Sequence, residues 1–527
     1  MLLDSTMQAA IGGNAEAQLT LGLAYYSGRG APQDHHEAHR WLRAAASQGN
    51  RGAQRVLGTV FLKGDGVDKD IPQALRWLEV AAQNGDVEAA YLFGFACLGE
   101  HGCPMRPAQA ERWLAWAADG GHRRARLALG LAFKSGTVLS QDIDLARSWL
   151  ERASESGDTE ARLVLGQMYL GGEGVPESSA TAASWFRLAA EAESPVAQYR
   201  LGLLYSQGKG VRLSVDQAAQ WFERAALAGL AEAQFELGSS LQRGDDGHPN
   251  LRRAREWFER AAEQGHAEAA FAIGTFYVFG EAELSPDDRM ALEWFQRAAD
   301  LGHGRAAFHL GLAFREGAGG AAQDFAQALH YFELSTERGY ALAMTALAKL
   351  VRMTDPGPNG AARARELFTQ AANAGEAEAQ ALVGIWLLTG SVATRKPHEG
   401  RRLVELSAAQ GHPSGLFALG RAHADGLGGL VDAEAAARCY EGAAHAGHTP
   451  AMVNLGRMLL EGPIARDPVA AFGWFDRAAK DGNAEAKRQL DALEQSAAFK
   501  AALYAETDTH VRQSPIWSDT TPNVDFE

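Results

Sequence analysis

Cysteine is scarce. Cys97, Cys103 and Cys439 are the only three in 527 residues, too few for a disulfide framework in a chain this long and in keeping with a reducing compartment. Long apolar runs are missing too: no stretch approaches the roughly eighteen consecutive apolar residues of a membrane-spanning helix. The amino terminus, MLLDSTMQAAIGG, has no basic n-region and only scattered apolar residues, so no export signal is expected there. Positive charge is in deficit. With a formal net charge of −15, the chain is not a general nucleic-acid binder, which must displace counterions with a basic stripe. A soluble cytoplasmic protein is the expectation. Signature motifs are lacking as well: no G-x-x-x-x-G-K-[ST], G-x-S-x-G, H-E-x-x-H or kinase set occurs. No catalytic residue, cofactor site or metal site is therefore expected.

What the chain does contain is a repeat, the feature to seek first because missing it miscalls the fold. Glycines stand at 36-residue intervals at Gly22, Gly58, Gly94, Gly130, Gly166, Gly202, Gly238 and Gly274. The series continues at Gly311, Gly384, Gly420 and Gly456, with Ala348 in the missing slot, which makes thirteen units. Nineteen residues after each of the first seven glycines comes a tryptophan, from Trp41 to Trp257; Trp294 and Trp474 follow with small shifts. Units nine to twelve place Tyr331, Leu367, Leu403 and Cys439 there instead.

Each unit reads as two helices. Ala17, Leu21 and Tyr25 form one apolar stripe, and Ala38, Trp41, Leu42 and Ala45 form the second. Glycine pairs such as Gly28 and Gly30 mark the turn within a unit. A glycine and a capping residue, as in Gly13-Asn14 and Gly85-Asp86, mark the turn between units. His122, His266, His303, His412 and His448 occupy that capping slot. Two helices of this size cannot bury both faces of a tryptophan alone, so units must stack, with the indole expected to fill the seam between hairpins.

The unit A-E-A-Q-x-x-L-G-x-x-Y-x-x-G-x-G-V, followed by A-x-x-W-F-x-x-A-A-x-x-G-H, resembles the SEL-one-like repeat, a relative of the tetratricopeptide repeat. The resemblance runs from about residue 15 to 482 and is nearly complete from Gly202 to Gly229. It implies an all-α, right-handed superhelical solenoid of about thirteen helix-turn-helix repeats of 36–37 residues. It also implies a non-catalytic scaffold or adaptor that binds a partner protein or peptide in a concave groove, in bacterial signalling, secretion or envelope-related assembly. Residues 1–14 are then an N-terminal extension, 483–507 a capping helix, and 508–527 a flexible acidic tail. Unit ten departs from the pattern in its turn, TDPGPNG.

By analogy with tetratricopeptide arrays, the first helix of each unit lines the groove. Its outward slots then carry a basic strip, Arg305, Arg315, Lys349, Arg352, Arg421 and Arg457, suited to an acidic partner. The slot three before the glycine is aromatic at Tyr199, Phe235, Phe271 and Phe308, residue types that either anchor a ligand or pack between helices. Cys97, His101 and Cys103 lie within seven residues, but Cys97 occupies a buried-stripe position and reads as core before metal ligand. In the tail, Trp517 and Phe526 stand isolated among acids, which raises the alternative of an enzyme-regulating subunit whose tail docks on a partner or on its own groove. A second alternative is an unrecognised enzyme with its site in units nine to twelve. No membrane insertion is expected.

Overall fold

The computed structural model describes residues 2–244, 248–392, 394–462 and 464–496. Among them the regular structure is helical throughout: thirteen helix hairpins, a preceding helix Leu2–Ile11 and a following helix Ala484–Gln495. Hairpin 1 pairs Ala15–Ser27 with His35–Ser47, and hairpin 13 pairs Thr449–Glu461 with Pro468–Lys480. The chain divides into two compact units, residues 1–264 and 265–527; hairpins 1–7 lie in the first and 8–13 in the second. The following helix corresponds to the start of the expected 483–507 cap, whose remainder lies outside the described residues.

Local signals set the helix ends. The Asn14 side chain accepts from Ala17 N–H at 2.9 Å, and Asp86 accepts from Ala89 N–H at 2.8 Å, so orphan donors of the first turn are satisfied. First helices commonly close on a left-handed glycine, as at Gly208 with φ 67°.

The thirteen periodic positions are where two helices of a hairpin cross. At Gly202 an added Cβ would stand 2.6 Å from Phe222 Cε1, and at Gly58 the same distance from Leu78 Cγ. At twelve of the thirteen the slot is a glycine without a side chain, so the helices approach closely, and the residue nineteen to twenty-one positions later fills the hollow. That residue is wholly buried: Leu42, Leu78, Leu114, Phe186, Phe258, Phe332, Phe368 and Phe475 are among the largest fully buried side chains. The expectation that tryptophan fills the seam is met only in part. Trp41, Trp113 and Trp257 are buried, but Trp77, Trp149, Trp185, Trp221, Trp294 and Trp474 are half-buried. One helical step of about 100° turns the indole from the hairpin interior to the rim. There an arginine commonly covers it, at 4.2 Å for Arg152 over Trp149 and 4.7 Å for Arg224 over Trp221. The seam role persists for some: Trp221 of hairpin 6 packs against a cluster that includes Phe186, Leu201 and Leu204.

Buried amides stitch the stack. Gln54 Nε2 donates to Ala46 O of the previous hairpin at 3.0 Å, while its Oε1 accepts from Asn84 Nδ2 at 3.0 Å. The arrangement recurs at Gln380, which donates to Ala372 O at 3.3 Å and accepts from Gln410 Nε2 at 2.9 Å. Donor and acceptor of the same buried amide are both satisfied, the condition under which a core amide fixes register instead of destabilising.

Candidate partner-binding surface

The aromatic slots of the first helices are built into this packing. Tyr199 meets Phe222 at 5.9 Å, Phe235 meets Phe258 at 5.5 Å, Phe271 meets Phe295 at 5.3 Å, and Phe308 meets Phe332 at 5.8 Å. Each ring thus lies on the buried aromatic of its own hairpin, and burial pushes the Tyr199 phenol above its ordinary range.

Over several of these rings the next hairpin lays its capping histidine. His303 is stacked on Phe271 at 4.5 Å; its Nδ1 accepts from Ala306 N–H at 3.0 Å and its Nε2 lies 3.0 Å from Glu268. His122 repeats the pattern with Tyr91 at 4.3 Å, Ala125 at 3.2 Å and Glu88 at 3.0 Å. His266 and His448 also accept from the third residue of their helices. His412 stands at the cap of Pro413–Asp425 without that bond, its Nδ1 buried and unpartnered.

The basic strip lies on the first helices of hairpins 9, 10, 12 and 13, and most of its charges are answered from within the chain. Lys349 Nζ donates to Glu378 at 2.6 Å, Arg315 pairs with Glu316, Arg421 approaches Asp425 at 4.0 Å, and Arg457 approaches Glu485 at 3.6 Å. Arg305 lies over the Phe271 ring at 5.0 Å. Arg352 is exposed and, among the described residues, has no carboxylate at ion-pair distance. Arg421 and Arg457 converge on one cleft of about 410 Å³, with Tyr440, Asn454, Asp425 and Glu461 around them. Trp517 and Phe526 lie outside the described residues.

Cys97 and Cys103 are buried, and burial pushes the Cys97 thiol up to about 11, which makes it a poor nucleophile and ligand at neutral pH. His101 is exposed, and its carbonyl accepts from Lys69 Nζ at 2.9 Å. Among the described residues no group of three or more His, Cys, Asp or Glu is arranged to hold a metal ion, and no helix is long and apolar enough to cross a membrane.

Two further clefts were not foreseen from the sequence. In regular units the second glycine of the intra-hairpin turn seats that turn on the preceding hairpin. A Cβ on Gly66 would fall 2.3 Å from His35, and one on Gly210 2.1 Å from the Ser179 backbone. Hairpins 4 and 11 carry Val138 and Val392 at that position. A cavity of about 470 Å³ is lined by Val138 and one of about 460 Å³ by Val392. The signal was present in the missing glycine, but its meaning depends on which hairpin the turn touches.

Stacked helix hairpins joined by inter-repeat hydrogen bonds, with a charged and cleft-bearing first-helix face, define an α-helical repeat protein of the solenoid class. The profile of the Sel1 repeat matches twelve segments between residues 15 and 483, with 87–123 left unmatched. The chain belongs to the Sel1 repeat family. The unmatched stretch still folds as hairpin 3, with a first helix of only ten residues, Val87–Ala96, and a single turn of 3-10 helix, Glu100–Gly102. Among solved structures, c5321, a protective antigen of uropathogenic Escherichia coli displaying an SLR fold, is 25% identical over 99% of both chains with a TM-score of 0.61. A Sel1 repeat protein from Oxalobacter formigenes is 28% identical over 59% of this chain and 90% of that chain, with a TM-score of 0.53. A search of curated proteins finds no match. Sel1 repeat proteins are generally protein-interaction scaffolds and typically non-catalytic.

Proposed function

We propose that this chain is a non-catalytic scaffold of the bacterial cytoplasm that holds an acidic segment of a partner protein along the first helices of hairpins 9–13. The observation that carries this reading is the row of cations on outward first-helix slots in a chain of net charge −15. Their present partners are exchangeable. Lys349 and Glu378 keep half and two-fifths of their side chains exposed, and exposed pairs contribute only about 0.2–1 kcal/mol each. A partner carboxylate can therefore replace Glu378 or Glu485 at small cost, and electrostatic attraction then steers the encounter. Affinity must come largely from apolar anchors, because a handful of surface pairs supports only weak binding.

The test is affinity capture from the native host, identification of the partner by mass spectrometry, and titration of the purified pair between 0.05 and 0.5 M salt. Affinity is expected to fall with salt and to fall again in a Lys349→Gln/Arg421→Gln/Arg457→Gln variant. Affinity indifferent to both would refute the role of the strip.

A further inference from the structure

Hairpin 10 departs from its neighbours in how its helices are joined. Its first helix runs to Thr354 and the second begins at Pro358, whereas hairpin 6 uses residues 208–214 for the same connection. The second helix is correspondingly longer, sixteen residues against thirteen. Hairpin 11 then presents Val392 where Gly66 and Gly210 seat their turns on the preceding hairpin. The two departures meet at one place, the cavity of about 460 Å³ bounded by Phe368, Trp386, Val392 and Ala361. That volume lies within the roughly 300–1,000 Å³ typical of ligand pockets.

The walls are apolar and fixed. Phe368 is fully buried, and Trp386 stands edge-on to it at 5.7 Å and 83°. The mouth is cationic. Arg352 and Arg365 both line the cavity. Among the described residues Arg365 donates to two backbone carbonyls, Ala361 O at 3.4 Å and Val392 O at 3.3 Å, and neither guanidinium has a carboxylate at ion-pair distance. The cavity at hairpins 3 and 4 makes a useful contrast: it has the same valine substitution and a similar size, but its cation, Lys134, is neutralised by Glu173 at 2.7 Å. At hairpins 10 and 11 the two positive charges are left for a ligand.

We propose that this pocket anchors one large apolar side chain of a partner peptide, with the carboxylates flanking that side chain held by Arg352 and Arg365. The occupant is an acidic peptide with an aromatic or long aliphatic residue at its centre. An apolar residue gains by displacing water from the Phe368–Trp386 wall, and a guanidinium fork matches a carboxylate in two-point geometry. On the far side of Trp386 and Arg365 a second cleft holds Glu366 and Glu399 beside Lys396, so acidic flanks are directed toward the Arg352 side. This inference rests on the partner-binding reading above and specifies where its principal contact is made.

The experiment selects a phage-displayed library of random dodecapeptides on the full chain, then measures synthetic consensus peptides by fluorescence anisotropy. Variants are Arg352→Gln/Arg365→Gln, which removes two exposed charges together with the Arg365 bonds to Ala361 O and Val392 O, Ala361→Trp, which fills the cavity, Arg421→Gln/Arg457→Gln on the rest of the strip, and Arg289→Gln/Arg438→Gln, exposed second-helix cations away from the strip, as the control. The expected consensus is an aromatic or aliphatic residue flanked by Asp or Glu. Its affinity should fall at least tenfold in each of the first two variants and stay unchanged in the control, with thermal unfolding midpoints preserved. No enrichment, a consensus without acids, or equal affinity for wild type and Arg352→Gln/Arg365→Gln overturns the pocket. Peptides that lose binding only in the Arg421→Gln/Arg457→Gln variant overturn it while leaving the scaffold reading intact.

Discussion

Replacing Gly202 by alanine tests how a hairpin is held together. The new methyl carbon would lie 2.6 Å from Phe222 Cε1 and 2.7 Å from Cδ1, where carbon atoms in contact prefer about 3.5–4 Å. Overpacking of this kind costs about 1–3 kcal/mol, and the better helix propensity of alanine returns about 1 kcal/mol. Gly202→Ala should therefore destabilise hairpin 6 by about 1 kcal/mol. Phe222→Ala alone should cost about 3–5 kcal/mol, because Phe222 is buried in the core. In that background the clash has gone, and Gly202→Ala should stabilise by about 1 kcal/mol through propensity. The change of sign is the prediction, a coupling of about 2 kcal/mol between residues in contact. Because repeat arrays need not unfold in one step, the assay is native-state hydrogen exchange of amides in Pro195–Gln207 and Val215–Leu227. The same effect of Gly202→Ala in both backgrounds, or no loss in the wild-type one, would refute the close-crossing argument.

His303→Ala removes a cap and a stacked ring at once and should cost about 1–2 kcal/mol, whereas His303→Asn, which keeps the capping acceptor, should lose less; thermal unfolding of the two variants compares them. Burial is the largest cause lowering the pKa of His39, His309, His423 and His448. Between those depressed values and the unfolded value near about 6.5, the unfolded chain binds more protons, so their contribution is present above that pH and is lost as pH falls. The unfolding midpoint should accordingly be lower at pH 5.5 than at pH 7.5, and an equal or higher midpoint at pH 5.5 would contradict this. Glu236 has the opposite sign: burial raises its carboxyl pKa, so ionisation in the folded state costs stability as pH rises through the raised value. Glu236→Gln should be more stable than wild type at pH 7, with the advantage shrinking toward pH 4.5, as read from paired melting curves.

The repeat, the hairpins and their caps were legible because each rests on local chemistry: a 36-residue period, a capping Asn or Asp, a turn glycine. The identity of the most buried residue was less so. Trp221 and Phe222 are adjacent and both apolar, and only the placement of Gly202 against the ring decides which one enters the crossing. The capping role was correct for His303 and incomplete for His412, because a side-chain bond depends on ring orientation that spacing does not encode. The surface was the least legible part. Lys349 and Arg457 were visible as cations, but Glu378 and Glu485, which answer them, lie two helices further on, beyond the hairpin of each cation, and approach only after stacking. Arg365, Trp386 and Val392 escaped notice because a pocket made by one shortened turn and one lost glycine has no motif.

The most direct measurement of the scaffold claim is site-specific photo-cross-linking of the captured partner, with benzoylphenylalanine placed at 349 and 421 on first helices and at 402 and 441 on exposed second-helix positions. Cross-links formed at 349 and 421 and absent at 402 and 441 are the expected result. Cross-links confined to 402 and 441 would contradict it.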